Sequence, residues 1–268
     1  MTRSTLIDAI RRKQSFLCVG LDPDPVMMPG HFSGTPTDVV TFCREIINAT
    51  KDYCVAYKPN IAFFEALGGE GWEVLYKVRE LLPEDCFLIA DAKRADIGNS
   101  SRMYARAFFQ HLEFDAVTVA PYMGADSVQP FLEYEDKWTI LLALTSNAGS
   151  QDFQMIRDTS EIPLYRHVIE RASTWGTADQ LMFVVGATHS ELLREVRAMA
   201  GQYFFLVPGV GAQGGDLATV AQAAMTEDVG LLVNATRSVI YADDSVDFAE
   251  MAGRQAQAYQ HIMSGFIS

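Results

Sequence analysis

The chain has 268 residues, of which 49% are hydrophobic and 21% are charged, with 19 glycines and 10 prolines. This composition is that of a globular protein and excludes a disordered, collagen-like or low-complexity chain. The formal net charge of −13 opposes binding to nucleic acid or to an anionic lipid surface, because both are negatively charged. A cleft can still concentrate a few basic residues, so the net charge is compatible with an anionic small substrate.

Cysteine usage and hydropathy bear on where the protein works. Cys18, Cys43, Cys54 and Cys86 form no C-x-x-C pair and have no histidine at zinc-binding spacing, so we expect buried free thiols and no metal site. The N-terminal segment becomes charged too soon for a signal peptide, and no apolar run reaches the roughly 18 residues of a membrane span. The sequence predicts a soluble cytoplasmic protein with no membrane partner.

Short apolar runs alternate along the chain with amphipathic stretches of helical length. The runs are rich in Val, Ile, Leu and Phe, which is typical of parallel strands that are covered on both faces. They are residues 16–21, 54–57, 86–90, 116–120, 140–144, 181–185, 203–207 and 231–233. Apolar residues at helical spacing predict helices over residues 37–52 and 72–82, and a short helix is expected around residues 5–12.

Eight such strand–helix units, without a linker or a break in composition, predict a single domain over residues 1–268. The expected fold is α/β, a closed (β/α)8 barrel preceded by a short N-terminal helix. The main alternative is an open doubly wound sheet, which is expected to carry a glycine-rich phosphate loop directly after its first strand. Pro23 and Pro25 stand where the helix after that loop would begin, so the barrel is favoured.

Charged residues gather where the predicted strands end, which is where barrel enzymes place their catalytic groups. The first strand is followed by Asp22, the second by Lys58, and the third by Asp91, Lys93 and Asp96. Alternation along an extended strand puts Asp91 and Lys93 on the same inward face. A structural ion-pair network is the alternative, but burying such charges for stability alone is costly. We interpret the cluster as a preorganised set of charges that acts electrostatically on a substrate whose charge changes during the reaction.

A second group of residues is suited to phosphate. Four glycines lie within residues 208–216, after the seventh strand, where backbone N–H groups can approach an anion closely. Arg237 follows the eighth strand, and the loops after strands seven and eight hold phosphate in many barrels. After the fifth strand, Ser146 opens a polar stretch over residues 146–161. This stretch is interpreted either as a lid or as an irregular surface loop.

Residues 91–98, with the sequence DAKRADIG, resemble the D-x-K-x-x-D-I signature of the orotidine 5′-phosphate decarboxylase family. Other segments similar to that family follow its order along the chain, over residues 16–242. They are residues 20–23, 57–60 and 208–213 and the segment around Arg237. The resemblance implies a (β/α)8-barrel carboxy-lyase that converts orotidine 5′-monophosphate to UMP and CO2, the final step of UMP biosynthesis. It implies neither a metal ion nor an organic cofactor.

The resemblance also implies catalytic roles. Lys93 is expected to donate a proton to C6 of the pyrimidine, in a charged tetrad with Lys58, Asp91 and Asp96. Loss of CO2 leaves an electron pair in an sp² orbital that the ring cannot delocalise, and a nearby ammonium group stabilises that pair. Asp91 beside the departing carboxylate adds a repulsion that is relieved when neutral CO2 leaves.

The implied substrate contacts involve the remaining candidate residues. Asp22 and Lys58 are expected to bind the ribose, Ser146 and Gln213 the base, and Gln213 with Arg237 the phosphate.

A homodimer is also implied, because in this family the residues at Asp96 and Ser100 reach the neighbouring subunit's site. Two features depart from many relatives: Ser100 stands where threonine is usual, and residues 234–236 precede Arg237 where a Gly-Arg turn is common.

Two alternatives stay open from the sequence. Sugar-phosphate decarboxylases and aldolases of the same superfamily share the D-x-K-x-x-D pattern and use Mg²⁺ to stabilise an enediolate. A noncatalytic nucleotide-binding barrel would keep the phosphate loop, although the intact set of Asp91, Lys93 and Asp96 speaks against it.

Overall fold

The structure is a computed structural model that describes residues 1–186, 190–210 and 217–267. Eight strands follow one another around a closed barrel in the order of the sequence. They are β1 (Leu17–Leu21), β2 (Ala56–Pro59), β3 (Phe87–Arg94), β4 (Ala116–Val119), β5 (Trp138–Leu144), β6 (Leu181–Val185), β7 (Phe204–Pro208) and β8 (Leu231–Ala235). Each predicted run overlaps one of these strands, so the predicted (β/α)8 barrel is confirmed.

Helices connect the strands. In the described residues they are α1 (Arg3–Lys13), α2 (Pro36–Thr50), α3 (Ile61–Glu65), α4 (Gly69–Leu81), α5 (Gly98–Arg106), α6 (Ala125–Leu132), α7 (Ser150–Phe153), α8 (Leu164–Ala172), α9 (Ser190–Ala200), α10 (Leu217–Ala224), α11 (Arg237–Ile240) and α12 (Phe248–Ser264), with a π-helical segment at Ala107–His111. The predicted N-terminal helix and the helices predicted over 37–52 and 72–82 are observed as α1, α2 and α4.

Helix α2 begins where its sequence favours a start. The hydroxyl of Thr35 accepts a hydrogen bond from the Asp38 N–H at 3.2 Å, and the Asp38 carboxylate accepts one from the Thr35 N–H at 3.1 Å. Pro36 occupies the first turn, where its missing N–H leaves no bond unmade. The helix buries the apolar stripe that predicted it, including Phe42 and Ile46.

Contacts between Cα atoms divide the chain into two compact units. The central unit comprises Met1–Ser4 and Lys93–Val233, and the terminal unit comprises Thr5–Ala92 and Asn234–Ser268. The single domain expected from the sequence stays a prediction.

A buried arginine organises part of the central unit. The Arg197 guanidinium lies 3.6 Å from the ring centroid of Phe205 and donates hydrogen bonds to the carbonyl oxygens of Tyr203, Ala224 and Gly230. Burial, with a smaller contribution from the charge of Arg3, lowers the pKa of Arg197 to about 9. The contacts tie α9 to β7 and to the segments that flank β8.

Aromatic packing organises the terminal unit. The Phe42 ring stacks on Tyr241, with centroids 5.7 Å apart, and on Phe248, with centroids 5.3 Å apart. These contacts join α2 to the C-terminal helices, although the residues are about 200 positions apart in the sequence.

Two further expectations concern the cysteines and membranes. All four cysteines are free and buried, as predicted, and burial raises the pKa of both Cys18 and Cys43 to about 12. Within the described part of the chain, none of the helices combines the length and the apolar character that a bilayer crossing requires.

Strand β1 passes very close to the segment that follows β8. A Cβ atom at Gly20 would lie 2.0 Å from Oγ1 and 2.9 Å from Cβ of Thr236. Because a Cβ atom is fixed to its backbone, no change of rotamer at Thr236 relieves the second contact. Only glycine fits this position without a shift of the backbone.

We therefore expect Gly20→Ala to lower the free energy of unfolding by about 1–3 kcal/mol, the usual effect of overpacking a core. Gly30→Ala is the matched control, since a Cβ atom there meets nothing within 4 Å. The control should stay within about 0.5 kcal/mol of the wild type. Urea denaturation measures both variants, and equal losses would contradict the close contact at Gly20.

Candidate active site

A buried ion pair lies in the terminal unit, at the carboxyl ends of β2 and β3. The Lys58 ammonium donates a hydrogen bond to Oδ2 of Asp91 at 2.6 Å, and the two residues are only 5% and 8% exposed. A parallel bridge between Asn60 and Asp91 fixes the two strands beside each other here. The strand ends therefore hold the two charges in register.

The charge of Lys58 is maintained by its neighbours. Burial alone would lower the pKa of Lys58, but the carboxylates of Asp91 and Asp22 outweigh that effect and raise the pKa above its ordinary value. Lys58 is therefore a cation near neutral pH, inside the protein, where charges interact more strongly than in water.

Asp22 lies directly after β1 and is oriented by residues from both ends of the terminal unit. The Asn60 side-chain amide donates to Oδ2 of Asp22 at 3.1 Å. The Tyr241 hydroxyl donates to the Asp22 carbonyl oxygen at 2.8 Å and accepts from the Asp24 N–H at 2.7 Å. These bonds fix the loop that carries the Asp22 carboxylate, and burial raises the pKa of Tyr241, so its hydroxyl keeps the donated proton.

Sequence reasoning gave no role to Asn60 or Tyr241. Asn60 could have been found, because it is a polar residue at a strand end, as is Lys58. Tyr241 carries no local signal, since it lies 219 residues from Asp22 in the sequence.

Lys93 lies in β3, two residues after Asp91, and is the first residue of the range Lys93–Val233 of the central unit. Its φ angle is 45°, in the left-handed region, and its backbone N–H donates to Oγ1 of Thr118 at 2.9 Å. The regular alternation expected along β3 assumes an extended backbone, and that geometry ends at Lys93. The direction of the exposed Lys93 side chain is therefore determined by this local turn and not by strand alternation.

Asp96 and Ser100 follow Lys93 at the start of α5. Asp96 is half-buried, with Oδ1 accepting a hydrogen bond from the Ile97 N–H at 2.7 Å, while Ser100 is exposed. The exposed apolar residues Ile97, Met103 and Tyr104 lie on the same segment. Exposed apolar side chains that form a contiguous patch are typical of a contact surface, so this segment is a candidate for one.

Ser146 is half-buried and directly follows β5, where the polar stretch 146–161 begins. The stretch contains the short helix α7. Gln154, directly after α7, connects the end of that helix to Thr145, which directly follows β5. Its side chain accepts a hydrogen bond from the Thr145 N–H at 2.8 Å and donates one to the Thr145 hydroxyl at 2.9 Å. The stretch is therefore not irregular throughout, and its role as a lid stays a prediction.

Arg237 is exposed at the first residue of α11, after β8, as the sequence predicts. Close by in the chain, Asn234 is 6% exposed and its amide nitrogen donates to the Thr236 hydroxyl at 3.1 Å. Its amide oxygen accepts no hydrogen bond within the described residues. Gln213 and the rest of residues 211–216 lie outside the described part of the chain, so the predicted phosphate segment is described only at residues 208–210.

The structure therefore brings Asp22, Lys58 and Asp91 together in the terminal unit, through the ion pair and through Asn60. Lys93 lies within β3, Asp96 and Ser100 follow that strand, and Ser146 follows β5.

The buried ion pair predicts a large loss of stability when only one of its two partners is removed. Asp91→Ala leaves the Lys58 ammonium buried without its carboxylate partner, which should lower the free energy of unfolding by about 3–5 kcal/mol. Guanidinium chloride denaturation at neutral pH measures the change. Burial lowers the pKa of Lys58, and Asp91 is the strongest of the groups that raise it, so the pKa of Lys58 should fall when Asp91 is absent.

The matched control is Glu250→Ala, which removes the carboxylate of the exposed pair between Glu250 and Arg254 in α12. An exposed pair is worth at most about 1 kcal/mol. If Asp91→Ala were no more destabilising than this control, the ion pair at Lys58 would not be held as described.

Comparisons with known proteins show which family the chain belongs to. Residues 15–252 match the sequence model of a family described as orotidine 5′-phosphate decarboxylase / HUMPS. The chain is 54% identical over 267 residues to the orotidine 5′-phosphate decarboxylase of Christiangramia forsetii, with 98% of each chain covered. It is 52% identical over 270 residues to that of Parabacteroides distasonis, covering 100% of this chain and 96% of the relative.

Solved structures give the same result. The structure of Leishmania donovani OMP decarboxylase is similar to this chain with a TM-score of 0.85 and 37% sequence identity, covering 99% of both chains. A barrel fold alone would not identify a family, because this fold carries many activities. Here the likeness extends to the sequence over nearly the whole length of the chain. The chain belongs to the orotidine 5′-phosphate decarboxylase / HUMPS family.

Proposed function

We propose that this chain removes CO2 from orotidine 5′-monophosphate to give UMP, with Lys93 as the proton donor and without a metal ion or an organic cofactor. The reaction, the final step of pyrimidine biosynthesis, follows from the family and from the curated relatives, which are named for it. The observation that best supports the mechanism is the buried pair of Lys58 and Asp91, whose charged groups are 2.6 Å apart. Asp91 lies two residues before Lys93 on β3.

The chemistry requires a cation at the carbon that loses CO2. Cleavage of the bond between C6 and the carboxylate leaves its electron pair on C6 and releases neutral CO2. The Lys93 ammonium stabilises this charge and then transfers a proton from Nζ to C6, which completes UMP. Such a proton transfer contributes about 10² to 10⁴ to the rate. Asp91, which is paired with Lys58, opposes the substrate carboxylate until CO2 leaves, and Asp96 completes the tetrad.

The remaining candidates bind the parts of the nucleotide that do not react. Asp22 and Lys58 bind the ribose hydroxyls, Ser146 and Gln213 the base, and Gln213 with Arg237 the phosphate. The support for Asp22 is that its loop and carboxylate are held in one orientation before substrate binds. Binding energy from these remote groups is available to position the reacting carbon.

The phosphate contact of Arg237 has support from its surroundings. Asn234 presents a buried amide oxygen without a hydrogen bond in the described residues, three positions before Arg237. Buried polar atoms almost always have a hydrogen-bond partner. A buried amide oxygen without one, close to Arg237 in the chain, therefore fits a site at which a bound ligand supplies the missing hydrogen bond.

The same proposal includes a homodimer in which Asp96 and Ser100 serve the neighbouring subunit's site. It is supported by the exposed apolar residues Ile97, Met103 and Tyr104, which lie on the same segment. A self-complementary contact of this kind is the commonest form of a symmetric oligomer. We also place the enzyme in the cytoplasm, which is supported by its four free cysteines.

A spectrophotometric assay with orotidine 5′-monophosphate, with and without EDTA, tests substrate, reaction and metal dependence together. We expect the wild type to form UMP equally well in both conditions. Lys93→Ala should lose at least about 10² in kcat, because the proton donor is gone, and should still bind UMP. Lys77→Ala, at an exposed lysine of α4, should match the wild type.

Two outcomes would contradict the proposal. Activity that disappears with EDTA and returns with Mg²⁺ would indicate the metal-dependent chemistry of the sugar-phosphate enzymes. Binding of UMP without turnover of orotidine 5′-monophosphate would indicate a noncatalytic nucleotide-binding protein.

The shared site predicts complementation between two inactive variants. In a mixed dimer of Lys93→Ala and Asp96→Ala, one site receives an intact Lys93 from one subunit and an intact Asp96 from the other, while the second site lacks both. Random exchange of subunits makes half of the dimers mixed, so about a quarter of the wild-type activity should return. Each variant alone is the control. No gain on mixing, although mass analysis shows mixed dimers, would mean that Asp96 acts within its own subunit.

A further inference from the structure

Lys93 has an unfavourable backbone conformation for its residue type. Five described residues other than glycine have a positive φ, and of these Lys93 alone lies within a strand. In the left-handed region the Cβ atom of an L-residue comes too close to the carbonyl oxygen that follows, so the conformation persists only where the surroundings enforce it. Something in the central unit must therefore hold Lys93 in place.

One interaction that supports this conformation comes from β4. The Lys93 N–H donates to Oγ1 of Thr118 at 2.9 Å, and Thr118 is only 1% exposed. One residue further on, the Arg94 carbonyl oxygen accepts from the Ala120 N–H at 3.0 Å, an ordinary backbone bond. At Lys93 a side-chain hydroxyl therefore takes the place that a backbone carbonyl would have in a regular ladder.

We propose that Thr118 is a positioning residue for Lys93: its buried hydroxyl holds the left-handed backbone and thereby determines where the Lys93 ammonium group lies. The inference rests on the proton-donor role proposed for Lys93. A backbone bond would favour extended geometry at this point, whereas a hydroxyl on a side chain can accept the N–H in its turned direction. Thr118 is a polar residue in an otherwise apolar run, which fits a specific task.

Loss of the hydroxyl should displace the amine. Without Thr118 Oγ1 the Lys93 N–H loses the acceptor that holds it in its turned direction, and the strained backbone relaxes toward a negative φ. Rotation about the N–Cα bond changes the direction of Cβ, and the long side chain carries that change to Nζ. A displacement of about 1 Å at a reacting group can cost about 10² in rate.

The test compares Thr118→Val, which replaces the hydroxyl by a methyl group, with Thr118→Ser, which keeps it. Thr139→Val in β5 is the matched control, because Thr139 is also 1% exposed and its hydroxyl has no hydrogen-bond partner in the described residues. For each variant we would measure kcat and KM for orotidine 5′-monophosphate, the affinity for UMP and the thermal midpoint. Lys93→Ala gives the residual activity that remains when the amine is absent.

We expect Thr118→Val to lose about 100-fold in kcat with little change in KM or in UMP affinity, because the groups that bind the nucleotide are elsewhere. Thr118→Ser should recover most of that loss, and Thr139→Val should retain the wild-type kcat. A hydroxyl with only a structural role would instead change the thermal midpoint and leave kcat unaltered in the folded protein.

The proposal is overturned if folded Thr118→Val keeps the wild-type kcat, or if Thr118→Ser is as impaired as Thr118→Val. Should Thr118→Val fail to fold, Thr118→Ala takes its place against Thr118→Ser, and equal kcat values in that pair overturn the proposal. Failure of the proposed function has a different signature, since Lys93→Ala would then keep its activity. An inactive Lys93→Ala together with a fully active Thr118→Val rejects the role of Thr118 alone.

Discussion

The terminal unit depends on keeping two opposite charges together away from water. Removing Lys58 and Asp91 from solvent is costly, and the cost is offset only because the ends of β2 and β3 hold the two groups 2.6 Å apart with Asp22 nearby. A field that is built into the fold does not have to be assembled when the substrate reacts. The barrel therefore supplies rigidity where the proposed chemistry needs charge of fixed sign and position.

A second constraint acts on the next functional residue of the same strand. Strand β3 stays regular through the buried Asp91 and then turns at Lys93, whose φ is 45°. Strained residues tend to occur at functional sites, where the surrounding structure compensates for the strain. The two charged residues of β3 thus have different supports: Asp91 is held by a side-chain ion pair, and Lys93 is held through its backbone.

The sequence predicted the barrel because each strand buries both faces and is therefore a short apolar run between amphipathic helices. It also predicted Lys58, Asp91 and Lys93, since charged residues at strand ends are local features. The backbone turn at Lys93 could not be predicted, because the residue is not glycine and the alternation rule assumes extended geometry. The hydrogen bond from Tyr241 to Asp22 could not be predicted either, because it joins residues that are 219 positions apart in the sequence.

That last bond has a consequence for how the protein matures. Chains emerge from the ribosome with the N-terminal part first, so the Asp22 loop is made early, while its partner Tyr241 follows 219 residues later. The nascent polypeptide can form strands β1 to β3 and still lack the support that orients this carboxylate. The orientation of the Asp22 loop is therefore completed only after Tyr241 has been synthesised, and a product that is terminated before Tyr241 would lack this support.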